Sequence, residues 1–217
     1  MKIWKRLNEW VFQGSRRSSR VFCQQVYGQV MERLAVEEAL HESNPSGSHW
    51  VCWILPPPSV VKVYFDGAVW EDGTAAGACV VKDVAANLLL VAGCIWEQHS
   101  IFDVELKGAW VALKLARLHF SGVSLWVEGD AQEIIKALTC LDCFSLSSVL
   151  LEDAWWMLRE MWIFNIFHSC RECNQCANWV VKWARERGYN VLLLDEFSSR
   201  SSLLAQADDL GTCFKRL

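Results

Sequence analysis

The chain has 217 residues, 53% of them apolar, with thirteen tryptophans, ten cysteines and a formal net charge of −4. That is enough material for one domain with a sizeable core. No apolar run approaches the ~20 residues of a membrane helix, and the start Met1–Trp10 lacks the apolar stretch and cleavage site of a secretory signal, so a soluble intracellular protein is expected.

Residues 1–40 carry helical periodicity in two pieces, around Ile3–Phe12 and Val21–Leu40, divided by the breaker G-S-R-R-S-S-R. Lys2, Lys5, Arg6, Arg16, Arg17 and Arg20 face Glu9 alone as counter-charge. They offer phosphate contacts, but a solvated segment is the simpler reading. His41–His49 reads as a polar linker, and Pro56–Pro58 marks a domain boundary. Val60–Phe65 is a first strand. Gly77–Lys82 and Leu88–Trp96 are a second and third, joined by the short turn D-V-A-A-N, which suggests a meander. Val104–Phe120 is a helix with Leu106, Ala109, Leu113 and Ala116 on one face. Gly108 inside it costs about 1 kcal/mol relative to alanine, a loss accepted where another backbone or a substrate comes close. Val123–Glu128 is a fourth strand and Ala131–Leu138 a helix. Val149–Trp162 is a further helix, with Leu151, Trp155, Leu158 and Trp162 along one stripe. Ile163–His168 is a fifth strand, and Ala177–Arg187 a last helix stopped by Gly188. Phe197–Leu217 is a polar tail with a weak helical stretch, expected outside the core. The order is that of an α/β domain.

Three acidic signatures punctuate this pattern: V-Y-F-D-G at Val63–Gly67, V-E-L at Val104–Leu106 and V-E-G-D at Val127–Asp130. Asp66 and Asp130 each close a strand-forming run, and Glu105 opens a helix. A carboxylate there is costly to bury alone, so it faces water, a partner or a metal. Gathered together, the three would repel one another unless divalent cations sat between them, an arrangement suited to phosphodiester chemistry. Each has a plainer use: Asp66-Gly67 as a hairpin turn, Glu105 against a helix dipole, Asp130 as an N-cap. The joint pattern favours the metal site.

The order of these motifs resembles the ribonuclease H family, most closely the plant branch found in non-LTR retroelements and their derivatives. The resemblance runs from about Pro56 to Leu194. It rests on P-P-P-x-x-V-K-V-Y-F-D-G (Pro56–Gly67), E-L-K-G-A-W-V-A-L-K-L-A (Glu105–Ala116), E-G-D-A-Q (Glu128–Gln132) and H-S-C-R-E-C-N-Q-C-A-N (His168–Asn178). It implies a ribonuclease H-like fold: a mixed five-stranded sheet, three antiparallel strands then parallel ones, flanked by helices. Residues 1–55 would be a helical spacer and linker, 56–194 the ribonuclease H-like domain and 195–217 a tail. The implied activity is metal-dependent endonucleolytic cleavage of the RNA strand of RNA–DNA hybrids. Asp66, Glu105, Asp130 and Asn178 would hold Mg²⁺ or Mn²⁺, and His168 would assist proton transfer or product release. The partner would be an RNA–DNA hybrid, read through 2′-hydroxyls and backbone geometry. Such a substrate suggests the nucleus, although no basic import cluster stands out beyond R-R-S-S-R.

Two positions depart from the family. Asn178 stands where a fourth carboxylate belongs, so a three-carboxylate enzyme with a compromised second metal site and weakened activity is expected. Gly129 replaces a serine, removing one hydroxyl near the site. The net charge argues mildly against a duplex-binding surface. Two alternatives therefore stand beside the enzyme: an inactive nucleic-acid-binding module, and a protein-interaction domain using the tryptophan surplus. Most cysteines are expected to be reduced thiols. Cys140-x-x-Cys143, and Cys170, Cys173 and Cys176 after His168, have zinc-ligand spacing, but small hydrophobic substitution is the simpler account.

Overall fold

A computed structural model describes residues 49–52, 54–97, 100–140, 148–193 and 213–216. The chain divides into two compact units, residues 1–49 with 217, and residues 50–216. The expected helical pieces at Ile3–Phe12 and Val21–Leu40, the basic start, most of the linker, Cys143 and most of the tail lie outside the described residues.

Ten residues rich in β-branched and aromatic side chains, V-V-K-V-Y-F-D-G-A-V, form strand β2 (Val60–Val69). It pairs antiparallel with β3 (Thr74–Lys82), which pairs antiparallel with β4 (Leu88–Glu97). The expected meander is therefore present. On its other side β2 runs parallel to β5 (Ser124–Gly129), itself parallel to β6 (Ile163–His168). Antiparallel to β4 lies a sixth strand, β7 (Val191–Leu193), that the sequence reading did not include. The sheet order is β6-β5-β2-β3-β4-β7. A separate two-stranded sheet joins β1 (His49–Cys52) to β8 (Cys213–Arg216). The tail thus ends in a strand, and the rest of it, where a weak helical stretch was expected, lies outside the described residues.

β2 is buried along most of its length because helices cover both faces of the sheet. On one face Val61, Val63 and Phe65 of β2 and Leu125 and Val127 of β5 pack against α1 (Ile101–His119), α2 (Gln132–Thr139) and α3 (Val149–Glu160). On the other, Tyr64, Ala78, Val80 and Val91 pack against Cys176, Ala177, Val180 and Val181 of α4 (Gln175–Arg187).

The predicted α1 face of Leu106, Ala109, Leu113 and Ala116 is buried as expected. The α3 stripe is shifted: Leu151, Ala154 and Met157 are buried, whereas Trp162 lies beyond the helix and is exposed. Trp155 turns its indole N–H to the Ala137 carbonyl at 2.9 Å, and Trp110 donates to Asp153. These tryptophans tie the helical layer together through their polar edges. Among the described residues no helix is long and apolar enough to cross a membrane.

Candidate active site

Each acid reaches the site for a local reason. Asp66 is the seventh residue of β2 and does not form a hairpin turn; the strand continues to Val69. Alternation puts Asp66 on the α4 side of the sheet with Tyr64, while Phe65 faces α1. Asp130 immediately follows β5, whose parallel register sets Phe65 opposite Gly129. Asp66, in the C-terminal half of β2, and Asp130, just past the end of β5, therefore lie on neighbouring strands inside the sheet, not at its edge. Asp130 does not cap the next helix either: the N-cap of α2 is Ala131, with no side-chain bond.

Glu105 arrives from the other layer. α1 begins at Ile101, three residues earlier than predicted, because Ser100 caps it by accepting from the Asp103 N–H at 3.1 Å and donating to the Asp103 carboxylate at 2.7 Å. Glu105 thus opens the second turn. It meets β2 because two glycines let the backbones touch. A Cβ on Gly67 would come within 2.9 Å of the Glu105 nitrogen, and one on Gly108 within 2.8 Å of the Asp66 carbonyl oxygen. This close passage is the reason for Gly108 inside the helix.

The result is a cluster in which Asp66, Glu105 and Asp130 offer oxygen atoms all within 4.8 Å of one another. Among the described residues it is the only such gathering of three acidic, histidine or cysteine ligands. His168, Cys170, Cys173 and Cys176 do not form one, which leaves the zinc reading without a site there. Cys140 is in a disulfide, and Cys79 is a buried thiol whose pKa burial pushes up.

The electrostatics are those of a buried acidic pocket that nearby basic groups offset only in part. Burial, then the Asp130 charge, raises the Asp66 pKa to about 7. Burial, then the charges of Asp66 and Asp130, raises that of Glu105 to about 9. Arg171 opposes both shifts, and Lys182 opposes that of Asp66. Asp66 accepts the Gly67 N–H at 2.9 Å, but Glu105 Oε2 is buried without a hydrogen-bond partner. A buried carboxylate oxygen with no donor is costly, and a hard divalent cation suits a cluster of three carboxylates that includes one. The residues present therefore fit Mg²⁺ or Mn²⁺.

Of the two remaining predicted residues, His168 touches the backbone of Asp130, and Asn178 is joined to the site only through the backbone of Asn174. His168 ends β6 beside Gly129, and its Nε2 lies 3.1 Å from the Asp130 carbonyl, which calls for the Nε2–H tautomer. Asn178 lies in the first turn of α4 and donates its backbone N–H to the Asn174 carbonyl at 3.1 Å. Sequence reasoning passed over Arg171 and Asn174, although both stand inside the H-S-C-R-E-C-N segment it singled out. Nothing in the pattern marked Lys182. Gly129 also has a different meaning from a lost hydroxyl: any Cβ there would come within 2.3 Å of the Phe65 ring.

A six-stranded mixed sheet of this order, with acids on its two central parallel strands and on the first helix, is a ribonuclease H-like fold. The family model described as reverse transcriptase-like matches residues 64–184, and the chain belongs to that family. Solved ribonucleases H share the fold. RNase H1 from the halophilic archaeon Halobacterium salinarum is 22% identical over 59% of this chain and 98% of its own, with a TM-score of 0.52. LC11-RNase H1, solved in complex with an RNA/DNA hybrid, is 17% identical over 59% and 98%, with a TM-score of 0.51. The N-terminal RNase H domain of a Mycobacterium tuberculosis protein is 15% identical over 59% and 95%, again at 0.51. Among curated proteins, nothing matches the sequence significantly.

Proposed function

We propose that this chain is a divalent-metal-dependent endonuclease of ribonuclease H type that cuts the RNA strand of RNA–DNA hybrids. The observation that carries the reading is the convergence of Asp66, Glu105 and Asp130, from two strands and a helix, within 4.8 Å. A structural relative bound to an RNA/DNA hybrid supports the substrate, and the reverse transcriptase-like family supports the retroelement kinship implied by the motifs.

In this reading Asp66, Glu105 and Asp130 hold the cations, with Asn178 contributing a neutral amide oxygen where a fourth carboxylate would add charge. Bound there, Mg²⁺ or Mn²⁺ would make water a better nucleophile and stabilise the leaving 3′-oxygen. Arg171 and Lys182 offset part of the negative charge that the scissile phosphate adds to the pocket. His168, whose ring is anchored through the Asp130 carbonyl, is placed beside the cluster to pass a proton to the departing group. Loss of the fourth acid weakens the hold on the second cation, so turnover is expected to be slow and to respond to Mn²⁺.

Asn178 also favours a second reading, an inactive domain that still binds hybrids. A labelled RNA–DNA hybrid incubated with purified protein and Mg²⁺ or Mn²⁺ separates the two. The enzyme reading expects cleavage by the parent and at least a hundredfold less (about 10²;) by Asp66→Asn. Hybrid binding with no cleavage, and no difference between parent and variant, would establish the inactive module.

A further inference from the structure

Asn174 is nearly completely buried, yet it belongs to neither hydrophobic layer. Its Nδ2 donates to the Phe65 carbonyl at 2.9 Å, the peptide oxygen just before Asp66, and lies 3.5 Å from Asp130 Oδ1. Its own carbonyl receives the Asn178 N–H and so opens α4. The side chain therefore touches the β2 backbone beside one acid and the carboxylate of another, while the backbone of the same residue is the N-cap of the helix that carries the fourth position. The direction of the amide is set by chemistry. Turned over, its oxygen would face the Phe65 carbonyl and the Asp130 carboxylate, both acceptors. In the orientation that satisfies these two, Asn174 Oδ1 is left buried with no hydrogen-bond partner.

A lysine or arginine in this place would neutralise Asp130 and compete with a cation for it. An amide orients the carboxylate while leaving its charge available, and its orphaned oxygen is an acceptor suited to the hydration shell of a bound ion. We propose that Asn174 is a positioning residue that holds Asp130 against Asp66 in cation-binding geometry and registers α4 to both. The proposal rests on the cation-site reading above.

Mn²⁺ binding by calorimetry, without substrate, tests it on three proteins. These are the parent, Asn174→Ala, and Val180→Ala, which trims a fully buried α4 side chain of the core. Asn174→Ala is expected to bind Mn²⁺ about tenfold more weakly than the parent. Val180→Ala is expected to lower the melting temperature while binding as the parent does. Asn174→Ser, too short to span both acceptors, repeats the test should the alanine variant not fold. Parent-like affinity in Asn174→Ala, an equal loss in Val180→Ala, or failure of both Asn174 variants to fold would overturn the proposal in favour of a purely structural asparagine. A parent that binds no Mn²⁺ would instead defeat the cation site itself, and this inference with it.

Discussion

Raising the pKa of Asp66 to about 7 and of Glu105 to about 9 ties the stability of the metal-free protein to pH. Both groups bind their proton more tightly folded than unfolded, where they titrate near about 4. The native state therefore holds more protons, and stability falls as pH rises between about 4 and about 9. In EDTA, thermal melts across that range should show this loss, and Glu105→Gln should flatten it by removing the group with the larger shift. Mn²⁺ should restore stability most at the alkaline end, where the carboxylates are charged. A pH-independent difference between parent and Glu105→Gln would contradict the assignment. Restoring the missing acid is a second test at this scale. Asn178→Asp should increase hybrid cleavage and tighten binding of a second Mn²⁺, read by calorimetric stoichiometry. The three acids were legible in the sequence because each ends or opens a recognisable run. Asn174 and Arg171 stood inside a quoted motif but gave no reason to prefer them over their neighbours. The role of Asn174 comes from burial and from a contact with β2 over a hundred residues away along the chain, and that of Arg171 from the charge it brings near Asp66 and Glu105.

At the scale of elements, the site depends on how strands and helix pass one another. Phe65 and Gly129 face each other in the parallel register, and the ring fills the space a side chain would need. Gly129→Ser, which reinstates the residue expected from the family resemblance, should destabilise the fold by about 1–3 kcal/mol through overpacking. Phe65→Leu in the same chain should recover part of that loss, measured as a coupling in urea denaturation. A second device joins the same two strands. Lys62 and Glu128 form a buried ion pair at 2.7 Å on the α4 side of the sheet, with the Lys62 ammonium 4.2 Å above the Trp126 ring. Burial lowers the Lys62 pKa, and Glu128 opposes the shift. Lys62→Met, which strands the Glu128 charge, should cost about 3–5 kcal/mol by the same measurement. The five main strands were readable because their apolar runs are long and bounded by turns such as Asp83–Asn87, where the Asp83 carboxylate accepts two backbone N–H groups. β7 escaped because three residues carry no periodicity, and its strand character comes from lying against β4. The start of α1 was misjudged because Ser100 and Asp103 form a local cap in a stretch whose apolar period begins only later.

For the molecule as a whole, the sequence reading located the alternation of strands and helices, and the family resemblance implied the sheet that joins them. Neither gave the separate β1–β8 sheet, because its partners stand at opposite ends of the described chain. The central claim is that this fold assembles one cation site from β2, the end of β5 and α1. Diffraction from crystals grown with Mn²⁺, recorded at a wavelength where manganese scatters anomalously, addresses it without reference to turnover. An anomalous peak bonded to oxygens of Asp66, Glu105 and Asp130, and absent from Asp66→Asn crystals, is the predicted result. An empty pocket in parent crystals grown at Mn²⁺ concentrations well above millimolar, with the three carboxylates still together, would contradict it.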